Sequence, residues 1–378
     1  MSLSSIDWND DRVGPFQGPP RLQLNVDFPL LITLLLITAV GFVVLYSALG
    51  EDLNALLRQG VRFGVAFAAF FVIAQISPQF MRMWTPWAYL FVLLLLLLVM
   101  IYGEIGKGAQ RWLNLGFVSI QTSELMKICV PMMVAWYLHE RTLPPRLGHM
   151  LVSAIIILVP AAMIERQPDL GTALLVVASG GLTMLLAGLS VRVVALVGGL
   201  SMVAAPLHWM FGMSDYQKRR VLTFLDPESD PLGAGYNAIQ AKIAIGSGGL
   251  FGKGWFNGTQ SHLEFLPERS TDFVFAVMAE EFGLLGLLLL LTLYLILVGR
   301  GLYIAAQAQD TFTRLLAGTL SLTFFFYVFV NMAMVSGLLP VVGVPLPLVS
   351  AGGTSMVTLM AGFGILAAIG GHRKLLAP

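Results

Sequence analysis

Charge is scarce in this chain of 378 residues: Asp, Glu, Lys and Arg make up 11% of it, against about 25% in a soluble domain. That shortfall excludes an ordinary soluble enzyme, and a disordered or coiled-coil protein with it. Cysteine is almost absent. Cys129 alone permits no intrachain disulfide, and its apolar surroundings suit a packed thiol. The five histidines (His139, His149, His208, His262 and His372) are scattered, with no HExxH or paired spacing, so a zinc site is not expected. A net charge of +1 leaves no global basic field to attract nucleic acid.

What the chain has instead is apolar surface. Hydrophobic residues make up 57% of it, and the surplus must face lipid rather than water. Runs long enough to cross a bilayer fall at about 28–49, 60–76, 84–101, 120–138, 147–164, 170–189, 191–212, 273–298, 312–338 and 348–369. The expected fold is therefore an all-α polytopic membrane protein of about ten spans. A polar tail, 1–27, precedes the membrane domain at 28–371, and a short tail, 372–378, follows it. The first 27 residues lack a basic n-region and a small-residue cleavage site, so the first run reads as an uncleaved anchor. With the N-terminus inside, ten Lys and Arg flank the inner ends and four (Arg58, Lys107, Arg111, Arg166) the short outer loops. That asymmetry places both termini in the cytoplasm.

One connection breaks the run of short loops. Residues 213–272, between spans seven and eight on the outer side, are too apolar and aromatic for a solvated linker. The segment is expected to fold back onto the membrane with a short interfacial helix. Its glycine stretch at 246–254 fails the phosphate-loop pattern, having Ser247 and Gly254 where that pattern needs Gly and Ser or Thr. Tight turns and close backbone approach are the expected use of those glycines.

Several polar residues sit where packing alone does not require them. Glu124 and Lys127, three apart, share a helix face. They are either a local ion pair or a pair whose lysine meets an anionic ligand in a cavity. Arg111, followed by Trp112, suits a headgroup anchor or a bidentate phosphate contact. Asp169, after Pro168, opens span six as a helix-capping acid that could also pair with Lys127 or Arg111. Lys218, Arg219 and Arg220 form a cationic run in the long loop, suited to headgroups or to a lipid pyrophosphate. Asp272 follows the capping candidates Ser270 and Thr271, so it is either a first-turn helix acid or a general base at the bilayer edge. Glu280 and Glu281 follow eight and nine residues later, suggesting a polar seam through the bundle. The segment 337–348, with three prolines and two glycines, reads as a rigid re-entrant turn.

The motifs GAQRWL, QTSELMK, QPDLGTALL, GSGGLFGKG, LPERSTDFVFAVMAEEFG and GLLPVVGVPLPLVSAGG occur in this order from about Asp27 to the end. Together they resemble the SEDS family (shape, elongation, division and sporulation), on its RodA-type branch. Two positions depart from the family pattern: Ser270, where His is frequent, and Ala351, where Tyr is frequent. The resemblance implies a peptidoglycan glycosyltransferase that polymerises lipid II on the outer side of the bacterial cytoplasmic membrane during cell elongation. It also implies a class B penicillin-binding protein as partner, and it marks Asp272 as the essential acid, together with Arg111, Glu124, Lys127 and Asp169.

On that reading, Asp272 accepts the proton of an attacking sugar hydroxyl. Arg111, Lys127, Lys218, Arg219 and Arg220 bind the pyrophosphate of lipid II and of the undecaprenyl-linked glycan. Glu124, Asp169, Glu280 and Glu281 form the supporting polar network. A divalent cation such as Mg2+ or Mn2+ would be a further source of positive charge. The competing readings are a lipid II flippase and a scaffold for the penicillin-binding protein. No inverted repeat or matched pair of broken helices favours transport, and scaffolding leaves the charged cluster without a purpose.

Overall fold

The computed structural model describes residues 26–106, 109–114, 119–213, 215–229, 235–262, 268–341 and 343–372. Most of both tails, together with Lys107 and Pro267, lie outside the described residues. Apolar sequence becomes helix here because a backbone in lipid must satisfy its own hydrogen bonds. The helices are α1 (Phe28–Ala48), α2 (Leu53–Ala74), α3 (Pro78–Tyr102), α4 (Thr122–Leu138), α5 (Leu147–Arg166), α6 (Leu170–Leu186), α7 (Val191–Phe211), α8 (Asp215–Leu225), α9 (Tyr236–Gly248), α10 (Thr259–His262), α11 (Val274–Ala306), α12 (Thr311–Val335) and α13 (Thr354–Gly371). Eight of them, α1, α2, α3, α5, α7, α11, α12 and α13, are long and apolar enough to cross a membrane. The 17-residue α4 and α6 occupy the other two expected spans. The chain is a multi-pass helical membrane protein.

Capping explains where the helix starts differ from the hydropathy runs. Asp52 accepts from the amides of Asn54 (2.9 Å) and Ala55 (3.1 Å), so α2 begins seven residues before its apolar run. Ser77 accepts from Phe80 N at 3.3 Å, and Pro78 follows as the first helical residue, which starts α3 ahead of Trp84. α12 is central, with 67% of its most apolar stretch buried, whereas α7 buries none of its own. Asp27 caps α1 through Leu30 N and receives two bonds from Arg300 of α11, at 3.0 and 2.8 Å. A Cβ on Gly370 would lie 3.4 Å from the same carboxylate, so both ends of the membrane domain meet on one face.

A small antiparallel sheet was not foreseen. Its strands are β1 (Glu104–Gly106), β2 (Ala109–Asn114) and β3 (Ser119–Gln121), in that order, with Trp112 opposite Gln121. The stretch read as a helix-end anchor, Arg111-Trp112, is therefore the middle of a strand. Three- and six-residue strands are too short to show a period.

The long loop carries α8, α9 and α10 and a 3-10 turn at Pro227–Ser229 where a single short helix was expected. α9 packs on α11 through Ala241, Ala244 and Gly248. The glycine stretch after it docks onto a break in α11 at Gly283 (φ +62°, ψ −162°). There the amides of Lys253 and Gly254 donate to the carbonyls of Glu280 (2.9 Å) and Glu281 (3.0 Å). In return, Leu284 N and Leu285 N donate to the carbonyls of Gly249 and Leu250. A Cβ on Gly252 would lie 2.1 Å from Glu281 O, and one on Gly283 would lie 2.3 Å from Gly252 N. The glycines are there for close approach, as the sequence suggested. Trp255 Nε1 ties the same stretch to α1 through Val43 O at 3.1 Å.

Gly283→Ala should therefore destabilise the fold by more than the roughly 1–3 kcal/mol of the backbone strain alone. Thermal unfolding of the detergent-solubilised protein, set against Gly181→Ala, where a Cβ would meet open space, measures the difference.

Candidate active site

Asp272 lies in a turn at 268–273, outside α11, whose cap is Phe273 and whose first residue is Val274. The expected capping does not occur. Thr271 N and Phe273 N both donate to Glu268 O, at 3.1 and 3.2 Å, and the Thr271 hydroxyl donates to Glu268 Oε2 at 2.6 Å. Three successive carbonyls of this turn are then taken from outside. Ala351 N donates to Ser270 O at 2.7 Å, the Ser350 hydroxyl to Thr271 O, and Asn331 Nδ2 to Asp272 O at 3.0 Å. Asn331, fully buried on α12, also donates to Val344 O at 2.7 Å. The proline-rich segment and α12 thus immobilise the backbone of Asp272 and leave its side chain half-buried. The carboxylate faces Gly343, where a Cβ would come within 3.5 Å of Oδ2.

Asn331 and Ser350 are the positioning residues that sequence reasoning missed. The available signal was a lone amide inside an apolar span. Asn331→Leu keeps the volume and leaves two buried carbonyls without their donor, at about 1–3 kcal/mol each. We expect kcat for the reaction proposed below to fall at least tenfold with KM little changed, as steady-state kinetics would show.

Of the cationic run, Arg219 and Arg220 line a groove between α8, α9 and residues 337–341, and Lys218 does not. Arg220 also faces a smaller cleft with Gln217, Pro168, Gly171 and Pro340, so the start of α6 meets α8 there. Asp169 caps α6 through Thr172 N at 3.2 Å and accepts from Gln121 Nε2, at the head of α4, at 3.1 Å. The sheet joins this corner, since Gln121 is paired with Trp112 next to Arg111. The Arg111 side chain itself lies outside the described part of the structure.

Deeper in the bundle, Lys127 Nζ is 2.6 Å from Glu124 Oε1, each side chain only 9% exposed. The ammonium also lies 4.6 Å above the ring of Tyr327. Both residues line a mostly apolar cavity between α4, α12 and α13, where the hydroxyls of Thr323 and Tyr327 have no hydrogen-bond partner among the described residues.

The remaining acids serve the glycine stretch. Glu280, fully buried, accepts from Lys253 Nζ (2.7 Å), the Thr259 hydroxyl (3.0 Å) and Gln260 N (3.1 Å). Glu281 accepts from the Ser47 hydroxyl of α1. The helical face that Glu280 was expected to share with Asp272 does not exist, because α11 begins only after Asp272. Among the described residues, no three His, Cys, Asp or Glu side chains converge as metal ligands.

Eight helices long and apolar enough to cross a membrane, around a turn whose backbone is clamped at Asp272, define a multi-pass membrane protein. Residues 27–375 match the FtsW/RodA/SpoVE family of cell cycle proteins, and the chain belongs to that family. It is 51% identical over 355 residues to the peptidoglycan glycosyltransferase MrdB of Escherichia coli (strain K12), covering 94% of this chain and 96% of that one. Its identity to the Helicobacter pylori (strain ATCC 700392 / 26695) protein of the same name is 36% over 356 residues, covering 92% and 90%. Among solved structures, the rod shape determining protein RodA of Thermus thermophilus superposes with a TM-score of 0.70 at 30% identity, covering 93% and 98%. A chain from a structure titled for the coordination of polymerization and crosslinking by a peptidoglycan synthase complex superposes with a TM-score of 0.79 at 32% identity, covering 91% and 97%. The family expected from the motifs is the family found.

Proposed function

We propose that this protein is a peptidoglycan glycosyltransferase that polymerises lipid II, with Asp272 as its general base. The observation that carries the assignment is the clamp on Asp272. Three consecutive carbonyls, those of Ser270, Thr271 and Asp272, are held by residues 59 to 81 positions away in the chain. Such rigidity keeps a base at a fixed distance from an acceptor hydroxyl, which is what general-base catalysis requires.

The 4-hydroxyl of an incoming lipid II sugar attacks the anomeric carbon of the growing glycan, and Asp272 takes its proton. The bond from that carbon to the pyrophosphate oxygen breaks, and undecaprenyl pyrophosphate leaves. One displacement inverts the anomeric centre. The departing group carries its own negative charge, so it needs cations rather than an acid. Arg219 and Arg220 supply them in the groove, whereas Lys218 does not line it and Lys127, paired with Glu124, lines a separate cavity. The 51% identity to a peptidoglycan glycosyltransferase over nearly the whole chain supports the same reading.

The Lys and Arg asymmetry, with both ends of the domain on one face, supports cytoplasmic termini and a site opening on the outer side. The partner is a class B penicillin-binding protein, in keeping with the synthase complex whose chain this one resembles. The test is polymerisation of labelled lipid II by the purified protein with its cognate partner, the partner alone serving as control. Long glycan chains support the proposal. Lipid II translocation without polymer, from an intact complex, would replace it with transport.

A further inference from the structure

We infer that Lys242 of α9 joins Arg219 and Arg220 in a site selective for a polyprenyl diphosphate over a monophosphate, an inference that rests on the glycosyltransferase reading above. Lys242 lies inside the apolar run Ile239–Ile245, where it looks like a stray surface lysine. The fold gives it a place. α9 brings Asn237 and Lys242 opposite Arg219 and Arg220 of α8, and the far wall is Met334, Gly337, Leu339 and Val341.

The groove has three cations from two helices and no carboxylate among its lining residues. Its other lining is largely apolar. This is the complement of a ligand with a multiply charged head and a hydrocarbon tail. A monophosphate presents one phosphoryl group, whereas a diphosphate spans two, so cations spread across the groove on two helices engage the diphosphate at more points.

Two details sharpen the assignment. Gly337 has φ +76°, and a Cβ there would lie 2.2 Å from Lys242 Cε and 2.8 Å from Nζ. Glycine is needed both for that backbone and for the space the lysine occupies, so the ammonium is directed across the groove. Asn237 Oδ1 is buried with no hydrogen-bond partner among the described residues. The groove also adjoins the base, since Val341 in its wall is two residues from Gly343, which the Asp272 carboxylate faces. Charge that builds on the leaving diphosphate as the glycosyl bond breaks would collect where these cations stand.

The test is equilibrium binding of undecaprenyl pyrophosphate, undecaprenyl monophosphate and phosphatidylglycerol to the full chain with its partner in neutral-lipid nanodiscs. Polymerisation is assayed on the same preparations. Wild type should prefer the diphosphate to the monophosphate by about tenfold or more. Lys242→Gln should weaken diphosphate binding by a similar factor and leave monophosphate binding within about twofold. Lys242→Arg, which keeps the charge, should retain most of the preference and shows that the site remains folded.

Equal diphosphate affinity in wild type and Lys242→Gln, with polymerisation intact, overturns the site and leaves the glycosyltransferase standing. Competition by phosphatidylglycerol as strong as by the diphosphate also overturns it, reducing the groove to a general anionic-lipid patch. Lys242-dependent diphosphate selectivity in a wild-type complex that makes no polymer sustains the site and removes the glycosyltransferase reading.

Discussion

Asp272→Ala is expected to lower lipid II polymerisation by roughly 10²–10⁴-fold while leaving assembly with the penicillin-binding partner intact. Three of the bonds that hold this turn run to the backbone carbonyls of Ser270, Thr271 and Asp272, which the substitution keeps. The substitution therefore removes the base and leaves the clamp. Asp272→Asn tests the same point with the shape preserved, since an amide cannot accept the proton. Both variants should fail alike in a gel assay of labelled glycan, with thermal unfolding close to wild type. If either variant polymerises at the wild-type rate, the base lies elsewhere.

The second large effect is on stability. Lys127→Met leaves Glu124 with its ionic partner gone, both side chains being only 9% exposed. Breaking one side of such a buried pair costs roughly 3–5 kcal/mol. The double variant Glu124→Gln, Lys127→Met removes the stranded charge and should recover most of that loss. Thermal unfolding of the four proteins in detergent completes the cycle. The same proteins separate the two roles read from the sequence. Recovered stability with recovered polymerisation makes the pair purely structural. Recovered stability without polymer means that Lys127 also meets the substrate's anionic group.

The spans were legible because bilayer thickness imposes a length on apolar runs, and the ten runs correspond to α1–α7 and α11–α13. Asp272 was legible because a carboxylate at the bilayer edge, inside a recognisable motif, stands out against an apolar background. What surrounds it was not. Asn331 and Ser350 reach Asp272 and Thr271 only through the tertiary fold, across 59 and 79 residues of chain. The break in α11 was equally hidden, because Gly283 sits in a run that reads as one continuous helix. Lys242 failed to register for the opposite reason: a single cation carries no pattern until Arg219 and Arg220 stand across from it. The partners of the other acids were set by the fold as well: Glu280 accepts from Lys253 and Asp169 from Gln121.

The glycine clasp on α11 bears on how the protein enters its membrane. Residues 284–306 alone exceed the roughly 20 needed to cross a bilayer, so the translocon can release this part as an autonomous helix. Residues 274–282, directly after Asp272, are closed at their far end by another part of the chain. Their last carbonyls, at Glu280 and Glu281, take amide protons from Lys253 and Gly254, in a loop with its own route back to the bundle. This first part of α11 is therefore complete only when the loop has docked. The Asp272 turn is likewise fixed only when Asn331, Ser350 and Ala351, which follow it in the chain, have reached it.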